Sequence, residues 1–224
     1  DQLAYLYNND KLPKQILLTG QEGIGKCTLA YHLINFILSK DENFSYDLDK
    51  HKINKENKSF RLVQNGSHPN FILIDVKDEK KSIDILQIRS LIDNLNKSSF
   101  NIKPRLILIN NIENLNLNSV NALLKILEEP NKKTHFILIN NNKKILSTIK
   151  SRCLDFKIYL SKDQAIDISK KLLNSEVTNL VNEDLINYYF TPGKIYRLNE
   201  FCNENEINIK EIILKNFLLL LIND

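Results

Sequence analysis

Short apolar runs alternate with helical repeats along the first two thirds of the 224-residue chain. Five runs rich in Leu and Ile have the length and composition of buried strands, at residues 15–19, 71–76, 106–109, 136–139 and 154–158. Between them, apolar residues recur at helical spacing, as at Val120, Leu123, Leu124 and Leu127. Strands that alternate with helices predict an α/β fold with a parallel sheet covered on both faces.

Start and stop signals define several of the predicted helices. Asp84 and Gln87 can form a capping box at the start of one helix. Asn116 or Asn118 can cap the next helix, and Pro130 ends it. Further helices are predicted at residues 1–9, 29–39, 163–173, 182–189, 195–201 and 207–222.

The pattern becomes purely helical after residue 159. We therefore predict an α/β domain at residues 1–159 and a small helical domain at residues 160–205. Residues 206–224 begin another helix, which is apolar on most of its circumference. Residues 41–65 are rich in Lys, Asn, Asp and Glu, and we interpret them as a surface excursion.

The composition is that of a globular protein, with 42% hydrophobic and 26% charged residues. The longest apolar run, residues 217–222, is far shorter than the roughly 20 residues that cross a bilayer. The net charge of +4 is mild and the lysines are dispersed, so composition alone does not indicate nucleic-acid binding. Because the chain contains no Met, we expect a fragment of a longer protein.

The cysteines and histidines give no pattern of a metal site. Cys27, Cys153 and Cys202 are widely spaced and odd in number, which favours reduced thiols in a cytoplasm over a disulfide scaffold. Three cysteines also exclude a four-cysteine zinc site, and the four histidines lack the spacing of metal ligands. We therefore predict no bound metal.

Residues 20–28, GQEGIGKCT, match the P-loop pattern G-x-x-x-x-G-K-[ST] at all positions except one. Gly20, Gly23 and Gly25 would let backbone N–H groups surround phosphates, and Lys26 would reach the outer phosphates. A strand precedes the motif and a helix follows it, as the P-loop fold requires. We therefore predict a P-loop fold.

The departure from the pattern is Cys27, which stands where a hydroxyl normally binds Mg²⁺. A thiol is a poor ligand for so hard an ion. Thr28 comes one residue late and would point about 100° away on a helix. The loop is therefore predicted to be degenerate, with weak or no nucleotide binding.

The strand at residues 106–109 ends in Asn110 and Asn111, where an ATPase needs carboxylates for Mg²⁺ and for the attacking water. Asparagine is neutral, so it can neither balance the charge of the metal nor act as a base. Glu113 lies beyond the strand end, and we interpret it as a solvated loop residue rather than a substitute. This second defect also predicts that the chain does not hydrolyse ATP.

Arg152 has two interpretations from spacing alone. It can be a surface arginine that pairs with Asp155 or another nearby carboxylate, a contact worth little energy. It can also be an arginine finger, a planar cation that binds the phosphates of a neighbouring subunit's nucleotide. Spacing alone favours the surface pair. Glu128 and Glu129, before Pro130, are interpreted as a solvated helix end rather than a catalytic pair.

Four segments together resemble one family: LPKQILLTGQEGIGKCTLA, HPNFILID, SVNALLKILEEP and STIKSRC. The chain resembles the clamp-loader branch of the AAA+ ATPases, and within it the delta-prime subunits of bacterial DNA polymerase III. The resemblance covers roughly residues 12–156 closely and the helical remainder loosely. It implies an AAA+ domain, then a helical lid, then the start of a C-terminal collar domain near residue 207.

The resemblance also implies a function in DNA replication. Clamp loaders of this family are rings of five related subunits, with ATP between neighbours, which place a sliding clamp on primed DNA. Delta-prime subunits typically do not hydrolyse ATP and give the arginine of the SRC motif to the next subunit's site. Arg152 matches that arginine, and this favours the arginine-finger interpretation. The expected partners are gamma/tau and delta subunits of a DNA-directed DNA polymerase (nucleotidyltransferase) holoenzyme in the cytoplasm.

The same resemblance assigns weaker expectations elsewhere. Asn140 or Asn141 would fall at the sensor position after the fourth strand, and Lys194 or Arg197 matches the second sensor of the lid only loosely. Many relatives carry a four-cysteine zinc module, but residues 42–64 contain no cysteine, so no zinc is expected. Two alternatives stay open: an ATP-hydrolysing motor subunit of gamma/tau type, and a P-loop protein unrelated to replication.

Overall fold

The computed structural model describes residues 1–77, 80–97, 102–130, 133–174, 191–205 and 207. The chain forms two compact units. The first contains residues 1–19 and 26–157, and the second contains residues 20–25 and 158–224. Residues 20–25, which contain the three motif glycines and are called the glycine loop, thus belong to the second unit, although they precede residue 159 in the chain.

The first unit is built on a sheet of five parallel strands. They are β1 (Gln15–Thr19), β2 (Phe71–Ile74), β3 (Arg105–Ile109), β4 (Thr134–Asn140) and β5 (Leu154–Lys157), in the order β2-β3-β4-β1-β5. The predicted parallel α/β sheet is confirmed. Because all strands run the same way, the residues that follow them lie along one edge of the sheet.

Helices cover both faces of this sheet. They are α1 (Gln2–Asn8), α2 (Lys26–Leu38), α3 (Lys58–Gln64), α4 (Ile85–Asn96), α5 (Leu117–Glu128) and α6 (Ser147–Lys150). Side chains alternate across each strand, so Leu17 packs in one buried apolar cluster while Ile16 and Leu18 pack in the other. This burial of β1 on both faces explains why its sequence reads as a continuous apolar run.

Polar side chains fix the ends of the helices that flank the sheet. Asp84 and Gln87 form the predicted capping box at α4. Asn116, and not Asn118, caps α5 by accepting a hydrogen bond of 2.8 Å from the backbone N–H of Ser119. At the other end of α4, the Arg105 guanidinium donates to the carbonyls of residues 94, 95 and 97.

Most of residues 41–65 are exposed or partly exposed, as expected of a surface excursion, but the segment has a buried anchor that the sequence analysis did not predict. They contain α3, and they bury Asn57 and Ser59. The Glu42 carboxylate holds the segment by accepting hydrogen bonds from Ser59 Oγ at 2.7 Å and Asn57 Nδ2 at 3.1 Å, and it pairs with Lys103. Hydropathy could not reveal this anchor because all its members are polar.

The second unit contains two packed helices among its described residues, α7 (Lys162–Leu173) and α8 (Pro192–Glu204). Ser161 and Gln164 form a capping box at α7, and Pro192 begins α8. The predicted helix at 182–189, and the predicted C-terminal helix apart from residue 207, lie outside the described residues. Within the described ranges, no helix is long and apolar enough to cross a membrane.

Glu42 provides a test of the anchor in the 41–65 segment. Burial disfavours its charge, but hydrogen bonds from Lys103 and Ser59 outweigh burial and lower the pKa of Glu42 to about 2. A carboxyl group whose pKa is depressed on folding stabilises the folded state at pH values above its unfolded-state pKa. That stabilisation is lost as the pH falls towards the folded-state pKa of about 2. We expect Glu42→Gln to lower the free energy of unfolding at pH 7 by about 2 kcal/mol, after allowance for partial solvent screening.

The measurement is denaturant unfolding of both proteins between pH 7 and pH 3. The difference between them should shrink below about pH 4.5, because the unfolded parent chain then begins to bind a proton at Glu42 while the folded chain keeps the carboxylate charged down to about pH 2. Glu56→Gln, in the same segment but at an exposed position, is the control and should change little. A Glu42→Gln penalty that stays constant with pH would contradict the role of the charge.

Candidate functional site

The glycine loop joins the end of β1 to the start of α2, as the P-loop pattern predicts. Gly23 and Gly25 have φ angles of +83° and +92°, in the left-handed region that favours glycine. The loop therefore has the backbone that the motif requires. The strand, glycine loop and helix predicted from the sequence are confirmed.

Two of the three motif glycines are required by packing within the second unit. A Cβ atom on Gly20 would lie 2.3 Å from the carbonyl oxygen of Ile158, and one on Gly23 would lie 2.4 Å from Oγ1 of Thr191. A Cβ on Gly25 would meet nothing within 4 Å. Protein packing thus explains Gly20 and Gly23, and only Gly25 borders open space.

The loop is also hydrogen-bonded to the start of α8. Thr191 Oγ1 donates to the Glu22 carbonyl at 2.7 Å, and the Gly193 N–H donates to the Gly23 carbonyl at 2.8 Å. The Arg197 guanidinium pairs with the Glu22 carboxylate at 2.8 Å. In this conformation, Arg197, one of the two candidates for the second sensor, contacts a carboxylate of the loop itself.

The residues after the loop form the first turn of α2. Lys26 is buried, and Thr28 is exposed. Cys27 packs against the apolar cluster on one face of the sheet. Burial and the charge of Asp75 raise the pKa of its thiol, although Lys26 acts in the opposite direction. Cys27 is therefore a neutral thiol packed against apolar side chains, and it offers no oxygen ligand to Mg²⁺.

The edge after β2 and β3 carries a hydrogen-bond network centred on Asp75. One carboxylate oxygen of Asp75 accepts from Asn110 Nδ2, and the other accepts from Asn111 Nδ2, both at 2.8 Å. The backbone carbonyl of Asp75 accepts from Gln87 Nε2 at 2.8 Å. Sequence analysis missed Asp75, although its position directly after a buried strand was a usable signal.

The network continues through Asn141 to Glu113. Asn141 Nδ2 donates to Asn111 Oδ1 at 2.6 Å and to Glu113 Oε1 at 2.9 Å. The Glu113 side chain is only 2% exposed, so its interpretation as a solvated loop residue was wrong. Hydrogen bonds from the side chain and the backbone N–H of Asn141 offset the cost of burying this carboxylate. Of the two sensor candidates, Asn141 joins this network, whereas the described hydrogen bonds of the Asn140 side chain are with the backbone of Lys143.

Arg152 lies two residues after the end of α6, and its described contacts are with α5 and α6. Nη1 donates to the Thr148 carbonyl at 2.9 Å, and Nη2 pairs with Glu128 Oε1 at 2.5 Å. Glu128 is thus the nearby carboxylate that the surface-pair interpretation allowed, whereas Asp155, the other suggested partner, lies 3.9 Å from Lys150. The Arg152 side chain remains 32% exposed. The turn thus presents a guanidinium whose plane is held from two sides.

Cys153 anchors the same turn from the inside. It packs against the apolar cluster that contains α5, and burial together with the charge of Asp155 raises its pKa to about 11. The thiol is therefore protonated at neutral pH and acts as a small apolar side chain. In the Ser-Arg-Cys sequence, the cysteine packs inward and fixes the backbone from which the arginine extends.

No group of three His, Cys, Asp or Glu side chains with metal-binding geometry occurs in the described part of the chain. Asp75 and Glu113 are connected, but amide groups stand between them. All three cysteines are free thiols. The arrangement can hold a fixed hydrogen-bond network at the strand ends and present a cation after α6.

Residues 1–162 match the family described as "DNA polymerase III, delta subunit". The chain is 32% identical over 139 residues to DNA polymerase III subunit delta' of Pseudomonas aeruginosa, which covers 62% of this chain and 40% of that protein. It is 31% identical over 204 residues to DNA polymerase III subunit gamma of Buchnera aphidicola, covering 89% of this chain and 54% of that protein. The chain thus spans about half the length of these curated relatives.

A solved structure with the same fold is a DNA polymerase III gamma subunit-related protein from Thermotoga maritima. It has a TM-score of 0.52 and 19% sequence identity, and the likeness covers 91% of this chain and 58% of that one. At this identity the likeness concerns the fold alone, and it agrees with the predicted P-loop AAA+ architecture. The family match extends over 162 of the 224 residues and contains both the glycine loop and Arg152. The chain therefore belongs to the DNA polymerase III delta-subunit family, and its sequence is similar to the delta' subunits.

Proposed function

We propose that the chain is part of a clamp-loader subunit that does not hydrolyse ATP and that supplies Arg152 to the ATP site of a neighbouring subunit. The observation that carries this proposal is the contrast between two sites in the first unit. The strand edge that would handle Mg²⁺ is occupied by amide groups, whereas the guanidinium of Arg152 is held at the surface. The chain would therefore assist ATP hydrolysis in a neighbouring subunit rather than hydrolyse ATP itself.

The Asp75 network supports the absence of hydrolysis. Both oxygens of Asp75 already accept hydrogen bonds from neutral amides, and these amides occupy the positions where a motor subunit carries carboxylates. Mg²⁺ prefers charged oxygen ligands in an octahedral arrangement. Binding the ion would require Asp75 to give up both amide partners without gaining a second carboxylate beside it.

The glycine loop supports at most weak nucleotide binding. Two motif glycines are explained by packing, so their presence does not by itself indicate phosphate binding. Cys27 contributes no metal ligand. We infer that ATP or ADP binds weakly at most and is not required as a cofactor, and that the chain binds no zinc.

The fixed geometry of Arg152 supports its use in trans. A guanidinium carries five N–H donors, of which the described contacts use two, so others can bind phosphate oxygens. Arginine is well suited to phosphates because its planar donors fit them bidentately. A side chain that is already oriented loses less conformational entropy when the neighbouring subunit docks.

The proposed partners are gamma/tau and delta subunits in a hetero-pentamer in the cytoplasm. Sliding clamp and primed DNA would be contacted through that assembly. The second candidate function is an ATP-hydrolysing motor subunit, and the similarity to DNA polymerase III subunit gamma of Buchnera aphidicola favours it. Steady ATP hydrolysis by the isolated chain would favour the motor subunit, and its absence would favour the subunit that does not hydrolyse ATP.

Arg152→Ala tests the proposal directly in the reconstituted assembly. An arginine finger accelerates hydrolysis at its own site by about 10³-fold or more, so that site should become nearly inactive. We expect a lower DNA-stimulated ATPase rate with unchanged assembly, measured by steady-state turnover and size-exclusion chromatography. Lys150→Ala, which removes a nearby cation, is the control. An unchanged rate for Arg152→Ala would reject the finger.

Nucleotide titration of the isolated protein tests the inert glycine loop. We expect no steady ATP hydrolysis, and any binding should be weak and should not strengthen when Mg²⁺ is added, because amides already engage Asp75 and Glu113 and Cys27 offers no oxygen ligand. The measurements are calorimetric titration and phosphate release. Steady hydrolysis that disappears in Lys26→Ala would instead establish the motor function.

Asn111→Asp tests whether the strand edge tolerates a second carboxylate. The new side chain would lie beside Asp75, so the two charges would repel and the folded-state pKa of the new carboxyl would rise. A carboxyl group whose pKa is raised on folding destabilises the folded state, and the full penalty applies above the folded-state pKa. The penalty should therefore be present at pH 7 and decline towards pH 4. We expect about 1 to 2 kcal/mol at pH 7.

Denaturant unfolding at the two pH values measures this penalty. Asn118→Asp is the control, because Asn118 is exposed in the first turn of α5, where a negative charge is favourable. Stabilisation of the unsubstituted protein by Mg²⁺ would contradict the proposed loss of metal binding at this edge.

A further inference from the structure

Glu128 stands at a position that helix stability does not explain. It is the last residue of α5, and Glu129 follows it. The C-terminus of a helix carries a partial negative charge, so two carboxylates there are unfavourable for the helix. Glu128 is 52% exposed and pairs with Arg152, whereas the described contacts include none for Glu129. Glu128 therefore holds an ion pair, whereas Glu129 has none among the described contacts.

The contact of Glu128 completes the fixation of the guanidinium. The Thr148 carbonyl accepts from Nη1, and the Glu128 carboxylate accepts from Nη2. Two acceptors on different nitrogens define the plane of the group, whereas the carbonyl alone would leave it free to turn. Glu128 comes from a different helix, so it ties the turn after α6 to α5.

We propose that Glu128 is a positioning residue that holds the Arg152 guanidinium in the orientation in which it meets the triphosphate of a neighbouring subunit. This inference rests on the proposed function of Arg152. The carboxylate does not need to leave when phosphate binds, because the remaining N–H donors of the guanidinium are sufficient for phosphate oxygens.

The expected effect is larger on catalysis than on folding. An exposed ion pair contributes about 0 to 1 kcal/mol to stability. A displacement of about 1 Å at a catalytic group can lower a rate by about 10²-fold, because the transition state requires exact placement. Removal of Glu128 should therefore leave folding and assembly intact while it slows hydrolysis in the neighbouring site.

The test uses the full-length protein in the reconstituted assembly with its ATPase subunits. We expect Glu128→Ala to cause roughly half or more of the loss in kcat that Arg152→Ala causes. The KM for ATP should change little, because the neighbouring subunit binds the nucleotide. Glu128→Gln keeps an oxygen that can accept from Nη2, so it should recover most of the rate. Glu129→Ala is the matched control and should be unchanged.

A double variant separates positioning from an independent effect. If Glu128 acts only through Arg152, then Glu128→Ala should have no further effect in the Arg152→Ala background. An unchanged or faster rate for Glu128→Ala, or an added loss in the double variant, would overturn the inference. If Arg152→Ala itself has no effect, the proposed function fails, and that outcome is distinct from failure at Glu128 alone.

Discussion

The parallel direction of the five strands is the constraint on which the candidate site depends. Because every strand of the sheet ends at the same edge, Asp75 after β2 and Asn110 after β3 become neighbours although 35 residues separate them in the chain. The same edge brings Asn141, after β4, to Asn111. In P-loop proteins this edge is where nucleotide and metal are bound. What distinguishes this chain is that amides occupy it.

Neutral amides that separate two carboxylates, Asp75 and Glu113, make this edge stable without an ion. A cluster of carboxylates would repel itself in the absence of a metal, since like charges at hydrogen-bond distance cannot all remain ionised. In the present network, Asp75 and Glu113 are each satisfied by amide donors, and Asn111 and Asn141 stand between them. The polar groups at this edge are thus hydrogen-bonded to one another without an ion.

The fold was largely predictable from sequence because it is set by apolar periodicity and by caps. β1 was predicted to the residue, and the capping box at Asp84 was found because its spacing is local. The misses involve polar groups whose partners are distant in sequence. Glu42 depends on Lys103, 61 residues away, and Glu113 depends on Asn141, 28 residues away. Composition makes such residues look solvated, since only the folded chain reveals the partner.

The same reasoning limits what a glycine motif can establish. Gly20 and Gly23 would be required here even if no phosphate ever bound, because Ile158 and Thr191 leave no room for a side chain. The match to the P-loop pattern is therefore strong evidence for the fold and weak evidence for nucleotide binding. Arg152 presents a related case, because spacing indicated a surface pair with a nearby carboxylate but did not identify Glu128 as the partner. Its anchors at Thr148 and Glu128 become visible only when α5 and α6 are brought together.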